Sequence, residues 1–120
     1  MSVTATIDIK KGLGFLMNKK PMYLRIAKLF IKTGEAKIPE LTEYVETENW
    51  NAFTIQVHAV KSTSATVGAR ELPGAALDLE QAGKNGDGDF IKANFPAFAE
   101  LYKATNEALA AEIAKMEAEE

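Results

Sequence analysis

Cysteine is absent from this 120-residue chain, which excludes disulfides, thiolate nucleophiles, thiolate-bound zinc and iron–sulfur clusters together. Histidine occurs once, so metal chemistry would have to rely on carboxylates and one imidazole. No apolar run approaches the roughly 20 residues that span a bilayer. The opening MSVTATIDIKKG also lacks the charged-then-apolar layout of a secretory signal, so a cytoplasmic location without membrane contact is expected. Lysine and arginine number 14 against 17 acidic residues, and no basic stripe marks a nucleic-acid partner. Strand signals are scarce as well, since β-branched residues nowhere alternate with polar ones over a useful length.

What is present is a composition that is 47% hydrophobic and 26% charged, that of an ordinary globular protein with one core, read as one domain over residues 1–120. Apolar residues recur at three and four, the period of helices. A short first helix is expected around Asp8 to Met17. The turn-like NKKP follows, with Pro21 suited to the first position of a second helix that reaches about Lys32 and buries Tyr23, Ile26, Leu29 and Phe30. Thr33 and Gly34 suggest a break. A third helix then runs to about Thr47 with Ile38, Leu41, Tyr44 and Val45 available for packing, and Pro39 is tolerable only in its first turn.

Asn49 is a plausible N-cap for a fourth helix that stops near Gly68. A fifth spans about Arg70 to Ala82, burying Leu72, Ala76 and Leu79 with Gly83 past its end. Ile91, Phe95, Phe98, Leu101, Leu109 and Ile113 outline a long last helix that Pro96 should kink or start, and whose acidic end MEAEE should fray. Short connections imply antiparallel neighbours. The expected fold class is all-α, an antiparallel up-down four-helix bundle with a short additional N-terminal helix.

The lone histidine lies in VHAVKSTSATVG, Val57 to Gly68. At ~100° per residue, Phe53, Val57, Val60, Ser64 and Val67 share one stripe, which defines the inside of the fourth helix. From its centre His58 lies ~140° round, Lys61 ~80°, Ala65 ~120° and Ser62 ~180°, so His58 points away from the core. These four residues occupy adjacent turns of one face. Ile55, ~200° round, is an apolar residue on a wet face and suits a docking contact.

That face offers an imidazole, one cation and two small side chains that leave space for a partner. A neutral imidazole presents a lone pair near neutral pH without an activating base, so it needs no triad to act as a nucleophile. A phosphoryl group carried on an imidazole nitrogen fits best. Phosphoryl transfer depends mostly on positioning and charge neutralisation, and Lys61 one turn away meets the second need. The partner would supply the metal and the opposing carboxylate.

His58-x-x-Lys61, the small residues after it and Gly68 ten positions on resemble the histidine-containing phosphotransfer (HPt) domain of multistep phosphorelays. IDIKKGLGFLMNKKPMYLRIAKLFI looks like that family's first two helices, ENW with Phe53 is similar to its entry to the histidine helix, and GARELPGAALDLEQAGKNGD looks like its next helix and turn. The resemblance implies that His58 is the phosphoacceptor and that the protein relays a phosphoryl group between aspartates of response-regulator receiver domains. It also implies that Lys61 neutralises the phosphate, that Glu80 orients the ring through a hydrogen bond and that Gly68 is structural. Ser62 departs from the pattern, since many members have glycine there; serine is still small and can hydrogen-bond the phosphoryl group or the ring.

The partners so implied are receiver domains and a hybrid sensor histidine kinase. No cofactor bound by this chain is expected, Mg2+ sitting instead on the partner receiver, and the chain is expected to act as a monomer. It has no room for a nucleotide-binding kinase domain and should not use ATP. GKNGDGDFIKAN, Gly83 to Asn94, imitates a calcium loop but has Gly83 where Asp belongs and Asn94 where the bidentate Glu belongs, so it reads as a turn followed by an Asp N-cap. The Gly12 to Gly14 pair follows no strand and lacks the third glycine of a nucleotide loop. Competing readings are a helical-bundle interaction module with a non-functional phosphotransfer site, and a bundle that binds a small ligand or metal.

Overall fold

The computed structural model describes residues 3–119, which form five helices and no strand. They are α1 (Ile9–Phe15), α2 (Lys20–Glu46), α3 (Trp50–Thr66), α4 (Leu72–Lys84) and α5 (Gly88–Ala118). Side-chain oxygens cap three of them: Asp8 accepts from the Lys11 amide, Asn49 from Ala52 and Asp87 from Phe90. Pro21 stands in the first turn of α2, where its missing N–H costs nothing. Among the described residues no helix is long and apolar enough to cross a membrane.

The four long helices pack in a ring, α2 against α3 and α5, and α4 against α3 and α5. Between them lies one core that includes Tyr23, Phe30, Leu41, Leu72, Leu79, Ile91 and Leu109. An aromatic chain from Trp50 through Phe53, Phe95, Phe98 and Tyr102 to Phe30 threads it, with successive ring centroids 5.7–6.3 Å apart. The short α1 closes one end. The Asp8 amide donates to the Gly68 carbonyl and the Arg70 amide to Thr6, while the Glu71 carboxylate accepts from the Thr6 amide and hydroxyl. Tyr23 donates its hydroxyl to the Val67 carbonyl at 2.7 Å, and burial pushes that phenol up to about 12.

Several boundaries differ from the sequence expectation. No break occurs at Thr33 and Gly34, where the expected second and third helices are one 27-residue helix. Gly34 is a packing residue: a Cβ there would lie 2.7 Å from Asn106 Nδ2 and 2.9 Å from the Tyr102 ring on α5. Pro39 lies inside α2 instead of in a first turn, and Pro96 lies inside α5 and does not start it; both helices continue past them because burial of Leu41 and of Phe95 and Phe98 holds the flanking turns. Leu29 is 61% exposed and not part of the core. Gly83 lies within α4, which reaches Lys84, and α5 stays helical through MEA because Met116 is buried.

Candidate functional site

The inward stripe of α3 is as its period requires: Phe53, Val57, Val60, Ser64 and Val67 are all buried. His58, between two of them, is therefore turned outward, its side chain 57% exposed. The neighbouring α4 comes unusually close at Gly83, where a Cβ would stand 1.9 Å from the Thr54 hydroxyl, one turn before His58 on α3. That approach carries Glu80, one turn back along α4, beneath the imidazole.

Glu80 is the centre of the site. Its carboxylate is only 2% exposed, with Oε2 2.6 Å from His58 Nδ1 and Oε1 2.7 Å from Lys61 Nζ. Lys84 Nζ, one helical turn on, lies 3.3 Å from Oε2. The Lys61 contact is an ion pair off the hydrogen-bonding direction, since Oε1 accepts no well-directed hydrogen bond. The Lys61 ammonium first, and then His58 and Lys84, hold the Glu80 carboxyl down at about 2 against the opposing effect of burial.

An ionised carboxylate can only accept, so Nδ1 of a neutral His58 must carry the proton and donate it. The lone pair then sits on Nε2, on the far side of the ring from Glu80, which leaves Nε2 as the nitrogen able to act as a nucleophile. Two ammonium groups stand beside the ring. The arrangement offers an oriented nucleophile, the cations to meet an anion arriving at it, and no further acid or base.

The structure brings His58, Lys61 and Glu80 together. Lys61, ~80° from the core stripe, is half-buried, its side chain 30% exposed and engaged with Glu80, a contact the helix phase does not show. Ile55 is 59% exposed one turn before His58, Ser62 is exposed and Ala65 half-buried one turn or more after it. Gly68 lies outside the cluster; its φ of +87° and a would-be Cβ 2.2 Å from the Asp8 carbonyl show why only glycine fits. Lys84 escaped the sequence reading because ending the helix at Gly83 put it in a turn; its i,i+4 spacing from Glu80 was the available signal. Gly83 to Asn94 forms a helix end, a turn and a helix start capped by Asp87. Among the described residues no group of three or more acidic or histidine side chains is placed to hold a metal ion.

No curated protein sequence matches the chain. Its fold is similar to the crystal structure of histidine-containing phosphotransfer protein B from Pseudomonas aeruginosa PAO1, with a TM-score of 0.81 over 91% of this chain and 95% of that one, at 16% identity. The family model of the Hpt domain matches residues 25–119, a span that holds His58, Lys61, Glu80 and Lys84. The chain belongs to the Hpt domain family.

Proposed function

We propose that the protein is a phosphorelay intermediate in which His58 accepts a phosphoryl group from a receiver-domain aspartate and passes it to the aspartate of another receiver. The observation that carries this reading is the Nδ1 contact to Glu80, which commits the free lone pair to the exposed Nε2. In the forward step Nε2 attacks the phosphorus in line. An N–P bond forms, the acyl-phosphate O–P bond breaks and the electron pair leaves with the aspartate carboxylate. The imidazole becomes cationic as it attacks, and the Glu80 carboxylate at Nδ1 stabilises that charge. The transition state is loose, with charge spread over three phosphoryl oxygens, so Lys61 and Lys84 act by meeting that charge.

Mg2+, held by the partner receiver, would neutralise the remaining phosphoryl charge. Ser62 is small enough for the receiver to approach and can hydrogen-bond the phosphoryl group, while Ile55 and Ala65 form the docking surface around it. We further read the four long helices as an antiparallel up-down bundle, the order their short connections support, and the protein as a cytoplasmic monomer, with receiver domains and a hybrid sensor kinase as partners. The test is incubation of the full chain with a labelled, phosphorylated receiver domain and Mg2+. Label should move to the wild type and not to His58→Gln; equal labelling of both would overturn the proposal.

A further inference from the structure

Charge is unevenly divided along the chain. Of its 14 cations and 17 carboxylates, five and one fall within residues 1–25, namely Lys10, Lys11, Lys19, Lys20 and Arg25 against Asp8, which leaves nine against sixteen in the rest. The two groups also behave differently. Beyond Arg25 every lysine except Lys32 is engaged with a carboxylate, whereas none of the first five cations enters an ion pair among the described residues.

Exposed apolar side chains gather in the same stretch. Phe15 is 57% exposed and Met17 78%, with Met22 also at the surface. Ile9, Gly12 and Leu13 hold α1 to the bundle, and a Cβ at Gly12 would stand 2.7 Å from the Tyr23 ring, so the helix sits in one orientation. Lys11 and Phe15 then fall ~200° and ~240° round from Ile9, on the outward face. The corner into α2 is tight, with the Asn18 amide donating to the Leu13 carbonyl and the Lys19 amide to that of Leu16. Met17 stands in this corner at a φ of +56°, a region that disfavours a side chain, and points its own into solvent.

The α1–α2 corner therefore presents projecting apolar tips among unpaired ammonium groups. A nucleic acid would answer the lysines and leave the tips against its phosphates, and an acidic protein would need apolar recesses among its carboxylates. An anionic bilayer answers both features: its phosphates meet the ammonium groups while the tips enter the boundary between head groups and acyl chains. We propose that the α1–α2 corner docks the protein peripherally on an anionic lipid bilayer. The sequence reading expected no membrane contact because no segment spans and no single helix carries a basic stripe; Lys10 and Lys11 belong to α1, and Lys19 and Lys20 to the start of α2. Since α1 packs at Gly68, about 15 Å along α3 from His58, docking leaves the histidine face open.

Sedimentation of the full chain with sucrose-loaded vesicles tests this, phosphatidylcholine alone against phosphatidylcholine with one-third phosphatidylglycerol. Binding should be at least about tenfold tighter to the anionic vesicles and should weaken as salt is raised. Lys11→Gln with Lys19→Gln should weaken it at least about tenfold, since each lysine at such a surface is worth roughly fivefold. Phe15→Ser with Met17→Ser should weaken it comparably with no change of charge. Lys32→Gln with Lys103→Gln, an equal loss of charge elsewhere, should leave it unchanged. All six replaced side chains are exposed, and circular dichroism of each variant checks that the fold persists. His58→Gln should bind as the wild type does, so failure of the phosphotransfer reading would not touch this one. Equal binding to the neutral vesicles, an equal loss in the Lys32 and Lys103 variant, or indifference to the Phe15 and Met17 change would overturn the proposal. Tighter binding at the same salt to duplex DNA or to polyglutamate would also overturn it, giving the corner to a nucleic acid or to an acidic protein.

Discussion

Glu80 Oε2 sits 2.6 Å from His58 Nδ1, although the two residues lie 22 positions apart on different helices. One end of that contact is buried and the other exposed. The carboxylate thus works from inside the bundle, setting the proton of a histidine whose side chain is 57% exposed. Two lysines share the same carboxylate, so two cations are held beside the imidazole instead of being dispersed on the surface. A phosphoryl group arriving at Nε2 would compete with Glu80 for them.

The first prediction concerns the tautomer. Glu80→Ala removes the acceptor at Nδ1 and frees the ring, so the neutral imidazole should revert to a mixture of tautomers. Nitrogen-15 shifts of the His58 ring should report Nδ1–H in the wild type and lose that preference in the variant. Phosphotransfer should slow by about 10–100-fold, the scale of losing a partner that orients an imidazole. An unchanged ring spectrum would show that Glu80 does not set the proton.

The two lysines should differ in their effect on stability. Lys61 is half-buried against Oε1, so Lys61→Ala leaves a buried carboxylate oxygen without its cation and should cost about 1–3 kcal/mol. Lys84 is 65% exposed and pairs at longer range, so Lys84→Ala should cost under about 1 kcal/mol. Urea unfolding of both variants checks the order. Each should also slow phosphotransfer, and Lys61→Ala more.

The outward face of α3 was legible in the sequence because it follows from local period alone: Val57 and Val60 pack, so His58 cannot. What was not legible depends on partners distant in the chain. Gly34 looks like a helix breaker until Asn106 and Tyr102 occupy the space its side chain would take, and Gly83 looks like a helix end until the Thr54 hydroxyl does the same. Misreading Gly83 then hid Lys84. The burial of Lys61 was missed for a related reason, since the phase of α3 gives the direction of that side chain and not the buried carboxylate it meets on α4.

Gly34 allows a direct test of that distinction. If it merely tolerated a helix, alanine would stabilise the chain by about 1 kcal/mol through propensity. Because the new methyl would meet Asn106 Nδ2 at 2.7 Å, Gly34→Ala should instead destabilise by about 1–3 kcal/mol. Gly14→Ala on α1, where a Cβ meets nothing within 4 Å, is the control and should be neutral or stabilising. Thermal melts of the pair separate the two cases.

Ile55 bears on docking alone. At 59% exposed it contributes little to the core, so Ile55→Glu should leave the melting temperature within about 2 °C while weakening receiver binding at least tenfold. Calorimetric titration with a receiver domain reads the affinity. Equal affinity in the two proteins would remove Ile55 from the interface.

The last prediction is the pH dependence of stability. The Glu80 carboxyl lies at about 2 in the folded protein, against an ordinary value of 4.5. A folded value below the unfolded one means that the unfolded chain takes up the proton first as acid is added. The stabilisation that the ionised carboxylate draws from Lys61, His58 and Lys84 is therefore complete above pH 4.5 and is lost as the pH falls toward about 2. Glu80→Gln has no such proton to bind. The melting temperature of the wild type relative to Glu80→Gln should be flat at higher pH and decline through that acid window, while the other carboxylates, common to both proteins, cancel. A constant difference across the window would mean that Glu80 titrates alike in the folded and unfolded chains, and that Lys61, His58 and Lys84 do not act on it as their distances require.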